Sequence, residues 1–105
     1  MIVYNVTIKI NPDVEKEWLE WMKANHIPEV LETGCFVDAK IQKLLGYDDE
    51  EGRTYAIQYR ARTMQDIDRY QEKYAAPLQK DHTERYKDQF VAFRTLLEEI
   101  QDFIG

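Results

Sequence analysis

The chain has 105 residues, 44% of them hydrophobic and 32% charged, with 14 Lys and Arg against 20 Asp and Glu and a single Cys. Such a composition describes one globular domain over residues 1–105, with enough bulk for one core but not for a roomy enclosed active site as well. A bulky ligand would need a groove or a second subunit. The formal charge of −6 argues against nucleic acid, whose phosphates demand a basic patch, and no stretch approaches the roughly 18 apolar residues of a membrane span.

The acidity is uneven. Residues 1–52 carry 5 Lys against 11 acids, whereas residues 53–105 balance 9 Lys and Arg against 9 acids. Four of the excess acids run consecutively from Asp48 to Glu51, the pattern of a solvated turn. The start, Met1-Ile2-Val3-Tyr4-Asn5, lacks the positive region and cleavage site of a signal peptide, and the lone Cys35 has no internal disulfide partner. A cytoplasmic location is expected.

Residues Ile2 to Ile10 alternate, with Ile2, Tyr4, Val6, Ile8 and Ile10 on one face and Val3, Asn5, Thr7 and Lys9 on the other, which predicts a strand. Asn11-Pro12 then opens a helix, an N-cap residue followed by a proline at the first turn. Val14, Trp18, Leu19, Trp21 and Met22 fall in one arc of it, with His26 at the arc's edge. Pro28 disfavours helical backbone at Ile27, so a break is expected near His26-Ile27, with helix resuming to Glu32 and ending at Gly34. Cys35–Leu45 predicts a second strand, Tyr47–Gly52 an acidic hairpin loop and Arg53–Ala61 a third strand.

Thr63 with Asp66 resembles a capping box opening a second helix, which Pro77 interrupts before a short segment through Tyr86. A fourth strand follows over about Gln89–Ile100, though Leu96–Ile100 also reads as helix. The order β-α-β-β-α-β, with right-handed crossovers, predicts an α+β, ferredoxin-like fold: a four-stranded antiparallel sheet with both helices on one face.

The other sheet face must then be polar or covered. It carries Val3, Asn5, Thr7 and Lys9, with Thr54, Ala56, Gln58 and Arg60 from the third strand. The second strand contributes either Phe36, Asp38, Lys40 and Gln42 or their odd-numbered neighbours, and both faces of the fourth strand contain Phe. A mixed face of this kind suits packing against its twin, which would make a homodimer enclosing an eight-stranded barrel.

Several blocks together resemble a group of short bacterial proteins of unknown function in the dimeric α+β barrel superfamily: Trp18-Leu-Glu-Trp-Met-Lys, His26-Ile-Pro-Glu, Gly34-Cys-Phe, Tyr55-Ala-Ile-Gln-Tyr and Phe90-Val-Ala-Phe-Arg-Thr-Leu-Leu-Glu-Glu. The resemblance implies the ferredoxin-like fold and a homodimer, without an activity. The group is similar in fold to cofactor-free and to haem-degrading monooxygenases. The latter use an Asn on the first strand, a Trp, and a haem-ligating His near the second helix; Asn5 and His82 sit in comparable elements, while both tryptophans lie in the first helix.

Among individual residues, His26 stands three positions before Glu29, a spacing that lets a carboxylate hold the ring near neutral titration; its structural alternatives are capping freed carbonyls or packing on Trp18 and Met22. His82 lies beside Asp81 and Glu84, and no ligand spacing demands a metal. Arg60 and Arg94 need partners, either a protein acid such as Asp38 or an anionic ligand. Tyr55, Tyr59, Tyr70, Tyr74, Trp18 and Trp21 have core spacing, Cys35 reads as a buried small hydrophobe, and the absence of Ser excludes a Ser nucleophile. The expectation is a small aromatic or anionic ligand in the cleft or barrel interior, with Asn5, Trp21, Gln58, Arg60 and His82 as binding residues, His26 as proton carrier and no cofactor. The alternatives are a non-catalytic interaction dimer and a monooxygenase-like or haem-binding enzyme.

Overall fold

The computed structural model describes residues 1–105. Its elements are β1 (Ile2–Ile10), a 3-10 turn (Pro12–Val14), α1 (Glu15–Trp21), a π turn (Met22–His26), α2 (Ile27–Glu32), β2 (Asp38–Lys43), β3 (Arg53–Ala61), α3 (Met64–Lys73), α4 (Ala75–Arg85) and β4 (Phe90–Glu98). The sheet runs β2-β3-β1-β4 with every neighbouring pair antiparallel. This is the expected ferredoxin-like α+β fold.

Register decides the faces. Val6 lies opposite Ile57 on β3 and Arg94 on β4, and Ile41 lies opposite Ile57, so the even residues of β1 and β4 share the helix side with the odd residues of β2 and β3. That side is the core, where Ile10, Ile57, Ala61, Trp18 and Val30 are wholly buried. Asp38, Lys40 and Gln42 therefore face away with Asn5, Gln58 and Arg60, the more polar of the two assignments of β2. Phe36 does not join them. It precedes the strand and turns into the core, stacked on Tyr4 at 6.1 Å and in contact with Tyr59 and Tyr70 at 5.3 and 5.0 Å between ring centres.

The first helix differs from expectation in an informative way. Instead of breaking at His26-Ile27, the chain keeps helical backbone through both residues and widens to a π turn, with the Ile27 N–H donating to the Met22 carbonyl. Pro28 has no N–H to give, and one wide turn absorbs the irregularity that a break would otherwise take. In the second half the interruption falls at Tyr74, three residues before Pro77, where the backbone leaves helical geometry. Other local signals act as read. The Asn11 side chain accepts from the Asp13 N–H, Thr63 Oγ1 accepts from the Asp66 N–H, and Gly34 ends α2's terminal turn at φ +77°.

β2 is shorter than the Cys35–Leu45 segment expected to form it, and before it only the Val37 N–H reaches β3, donating to the Arg60 carbonyl at 2.8 Å. The acidic loop is tied down by the protein's own cations: Asp48 pairs with Lys43 and Arg53, and Asp49 with Lys9 at 2.7 Å. No helix is long and apolar enough to cross a membrane.

Candidate functional site

Between the helices and the sheet a cavity opens towards the β4 edge, lined by β1, β3 and β4 below and by the π turn, α3 and α4 above. Its polar lining includes His26, His82, Gln79, Tyr70 and Arg94, set among Tyr4, Val6, Ile57, Met22 and Phe90. The enclosed space is about 30 Å³. At roughly 10–15 Å³ per water, that is room for two or three waters or for a group of three or four heavy atoms. An aromatic ring is too large for it.

The π turn builds this site. On an α-helix, residues five apart diverge by about 140°. The wide turn closes that gap, so Trp21 and His26 stack with ring centres 5.2 Å apart and planes 29° apart. His26 is thereby directed at α4, where His82 lies 5.6 Å away and is itself packed edge-on against Phe90 of β4 at 4.4 Å. The other face of Trp21's neighbourhood is closed by Arg85, whose guanidinium lies 5.2 Å from the ring.

Trp18, buried against Tyr55 of β3, donates its indole N–H to Nε2 of His82 at 2.9 Å. Indole only donates, so His82 Nε2 accepts and the neutral ring carries its proton on Nδ1. Glu15, three residues before Trp18, accepts the Tyr55 hydroxyl at 2.6 Å and pins the helix to the sheet. Nδ1 of His26 is buried and has no hydrogen-bond partner in the protein.

Burial lowers both imidazoles from 6.5 to about 4. For His26 the Asp81 carboxylate opposes this and Arg94 adds to it; for His82 the neighbouring His26 and then Arg94 add to it. This corrects the expectation drawn from spacing, in which Glu29 held His26 near neutral titration. The acid that acts on the ring is Asp81, and desolvation overrides it. Burial likewise raises the Tyr59 and Tyr70 hydroxyls well above their ordinary range, so both keep their protons.

The residues singled out from sequence divide between two sides of the sheet. Trp21, His26 and His82 meet on the helix side, with Trp21 packed behind His26. Asn5, Gln58 and Arg60 lie on the open face. There Arg60 forms a two-point pair with Asp38 at 2.9 and 2.6 Å, the structural partner expected for it. Asn5 donates to Thr7 and Thr95, and its Oδ1 is buried without a partner. Sequence reasoning missed Trp18 and Tyr70 as parts of the site, because their spacing is that of ordinary core residues, and Gln79, which no motif or periodicity marks. Arg94 reads from sequence as a strand arginine, and only its register opposite Val6 settles its face.

A tetrapyrrole held between Asn5 and His82 does not fit this arrangement. The two residues occupy opposite faces of the sheet, Nε2 of His82 is taken by Trp18, and the cavity is far too small. No cluster of three or more His, Cys, Asp or Glu stands in metal-holding geometry.

A four-stranded antiparallel sheet with paired helices on one side, an open second face and a cavity between the layers defines a ferredoxin-like α+β protein. Within that class the chain belongs to a family described as a domain of unknown function, DUF4286, whose model matches residues 1–100. No curated protein matches it. Among solved structures it is similar to a dimeric ferredoxin-like protein from an uncultured marine organism, with 10% identity, a TM-score of 0.66 and all of both chains covered. It is also similar to HapK from Hahella chejuensis, with 6% identity, a TM-score of 0.70 and 100% and 98% of the two chains covered. A variant of MhuD crystallised with two manganese protoporphyrin IX per active site matches over all of both chains with 16% identity and a TM-score of 0.70. At these identities the likeness carries the fold.

Proposed function

We propose that this protein is a cytoplasmic homodimer whose helix–sheet cavity binds a small polar molecule, with His26 as the residue that meets it. The observation that carries the reading is the unpartnered Nδ1 of His26, buried in a cavity that also presents His82, Gln79 and Arg94. A buried nitrogen without a hydrogen bond costs about 1–3 kcal/mol, and an occupant of the cavity is what can relieve that cost. Its low proton affinity suits His26 to hydrogen bonding at neutral pH better than to proton transfer, which favours binding over acid–base catalysis.

The dimer reading rests on the open face. Val91, Phe93 and Leu97 of β4 are 67%, 62% and 48% exposed there, an apolar stripe beside Val3 and the buried Asn5. The structural likeness to a protein described as dimeric supports it. The acidic loop offers less to a protein partner than its charge suggests, since Asp48 and Asp49 are already paired.

The cavity reading is tested by labelling histidine side chains and titrating the protein with formate, acetate, acetamide and ethanol while following the imidazole resonances. At least one is expected to shift His26 and His82 saturably in the native protein and not in His26→Phe. If all four leave both rings unmoved, the cavity is a packing defect and the reading fails.

A further inference from the structure

Resting on that reading of the cavity, the charge and donor pattern of its lining points further, to the kind of molecule it takes. Arg94 is the one cation among the lining side chains, and no carboxylate lines the cavity. Arg94 lines the same cavity as His26, His82 and Tyr70, and its charge acts on all three. Asp81, the acid that acts on His26, belongs to a separate groove with Glu29 and Glu32 on the outer side of the helices.

The remaining polar groups lean the same way. With Nε2 of His82 accepting from Trp18, that ring has no lone pair left to accept from an occupant. Tyr59 and Tyr70 hold their hydroxyl protons. A lining with a fixed positive charge, no carboxylate and donors from Arg94, Gln79 and the tyrosine hydroxyls is complementary to a negatively charged acceptor group. The space of about 30 Å³ matches a group of three or four heavy atoms. Arg94 itself is exposed, on the edge strand, where the cavity meets solvent and where the rest of a longer molecule would leave.

We propose that the cavity is a carboxylate site, taking the head group of a small monocarboxylate that pairs with Arg94 and accepts a hydrogen bond from Nδ1 of His26. A bound carboxylate selects the His26 tautomer with the proton on Nδ1 and satisfies the nitrogen that the protein leaves unpaired. Trp18 acts as a positioning residue, since by occupying His82 Nε2 it denies the site an acceptor that would favour amides or alcohols. Planarity of the guanidinium suits the two oxygens of a carboxylate better than a single anion.

The test compares acetate with its neutral isostere acetamide at pH 7, read by imidazole resonances and by the indole N–H signal of Trp18. Acetate is expected to bind about tenfold more tightly than acetamide, and Arg94→Gln to weaken acetate about tenfold while leaving acetamide unchanged. Because Arg94 is exposed, Arg94→Gln should keep the native melting temperature and the Trp18 signal, which shows that any loss is not misfolding. Equal binding of acetate and acetamide, or acetate binding indifferent to Arg94→Gln, overturns the carboxylate inference and leaves the cavity reading standing. Silence from both compounds, and from formate and ethanol, removes both.

Discussion

At the residue scale, burying two imidazoles beside an arginine gives the fold a defined response to acid. His26 and His82 are lowered to about 4, chiefly by desolvation, against an ordinary 6.5. Above about pH 6.5 both rings are neutral in the folded and the unfolded chain, and their contribution to stability is complete. As pH falls from 6.5 to 4 the unfolded chain takes up protons first, so stability declines, by up to roughly 3 kcal/mol per histidine once the folded-state value is passed. The melting temperature should therefore drop steadily between pH 6.5 and 4, and His26→Phe should remove about half of that slope. A flat melting curve over this range would show that the rings are not buried as described. Asp38 and Asp49, held below the usual carboxylate range by hydrogen bonds from Arg60 and Lys9, act in a lower window and do not obscure it. The chemistry of these residues was only partly legible in the chain. His26 and His82 stood out by type, but their partners are set by register and by the π turn.

At the element scale, termini and interruptions carry most of the local information. Gly34 sits at φ +77° with open space around its missing side chain, so Gly34→Ala meets no clash and pays only for left-handed backbone, about 1 kcal/mol. Thr63→Ala should cost a similar ~1 kcal/mol by removing the acceptor for the Asp66 N–H. Urea unfolding of the two variants checks both, and a cost above about 3 kcal/mol at Gly34 would mean that the turn is packed rather than open. β1 and β3 were readable to the residue because one face is wholly apolar and a slip of one position would expose it. The π turn was not readable. Helical periodicity assumes 100° per residue, so it put His26 at the margin of the apolar arc and gave no sign that Trp21 would lie on it. Pro28 was the visible clue, and it pointed to an irregularity without saying whether the helix would break or widen.

At the scale of the whole molecule, the two faces of the sheet have different destinies. The helix side is closed by core and holds the cavity; the open side leaves the apolar stripe of β4 uncovered. Phe93→Glu is expected to turn a sedimenting dimer into a folded monomer at micromolar concentration, with the helix and strand content unchanged by circular dichroism. A native chain that already sediments as a monomer would refute the dimer. The net charge of −6 lies on the surface and in a loop where Asp48 and Asp49 are paired, while the cavity carries the opposite sign through Arg94. Composition, alternation and the order of elements by themselves determined the fold class, strands β1 and β3 and the helix caps, because these follow from local periodicity. Only the tertiary structure decided which side of the sheet each polar residue serves. It separated Asn5, Gln58 and Arg60 from His26 and His82, and joined Trp18, His82, His26 and Arg94, because cross-strand register and one wide helical turn bring together residues whose sequence separations hold no record of contact.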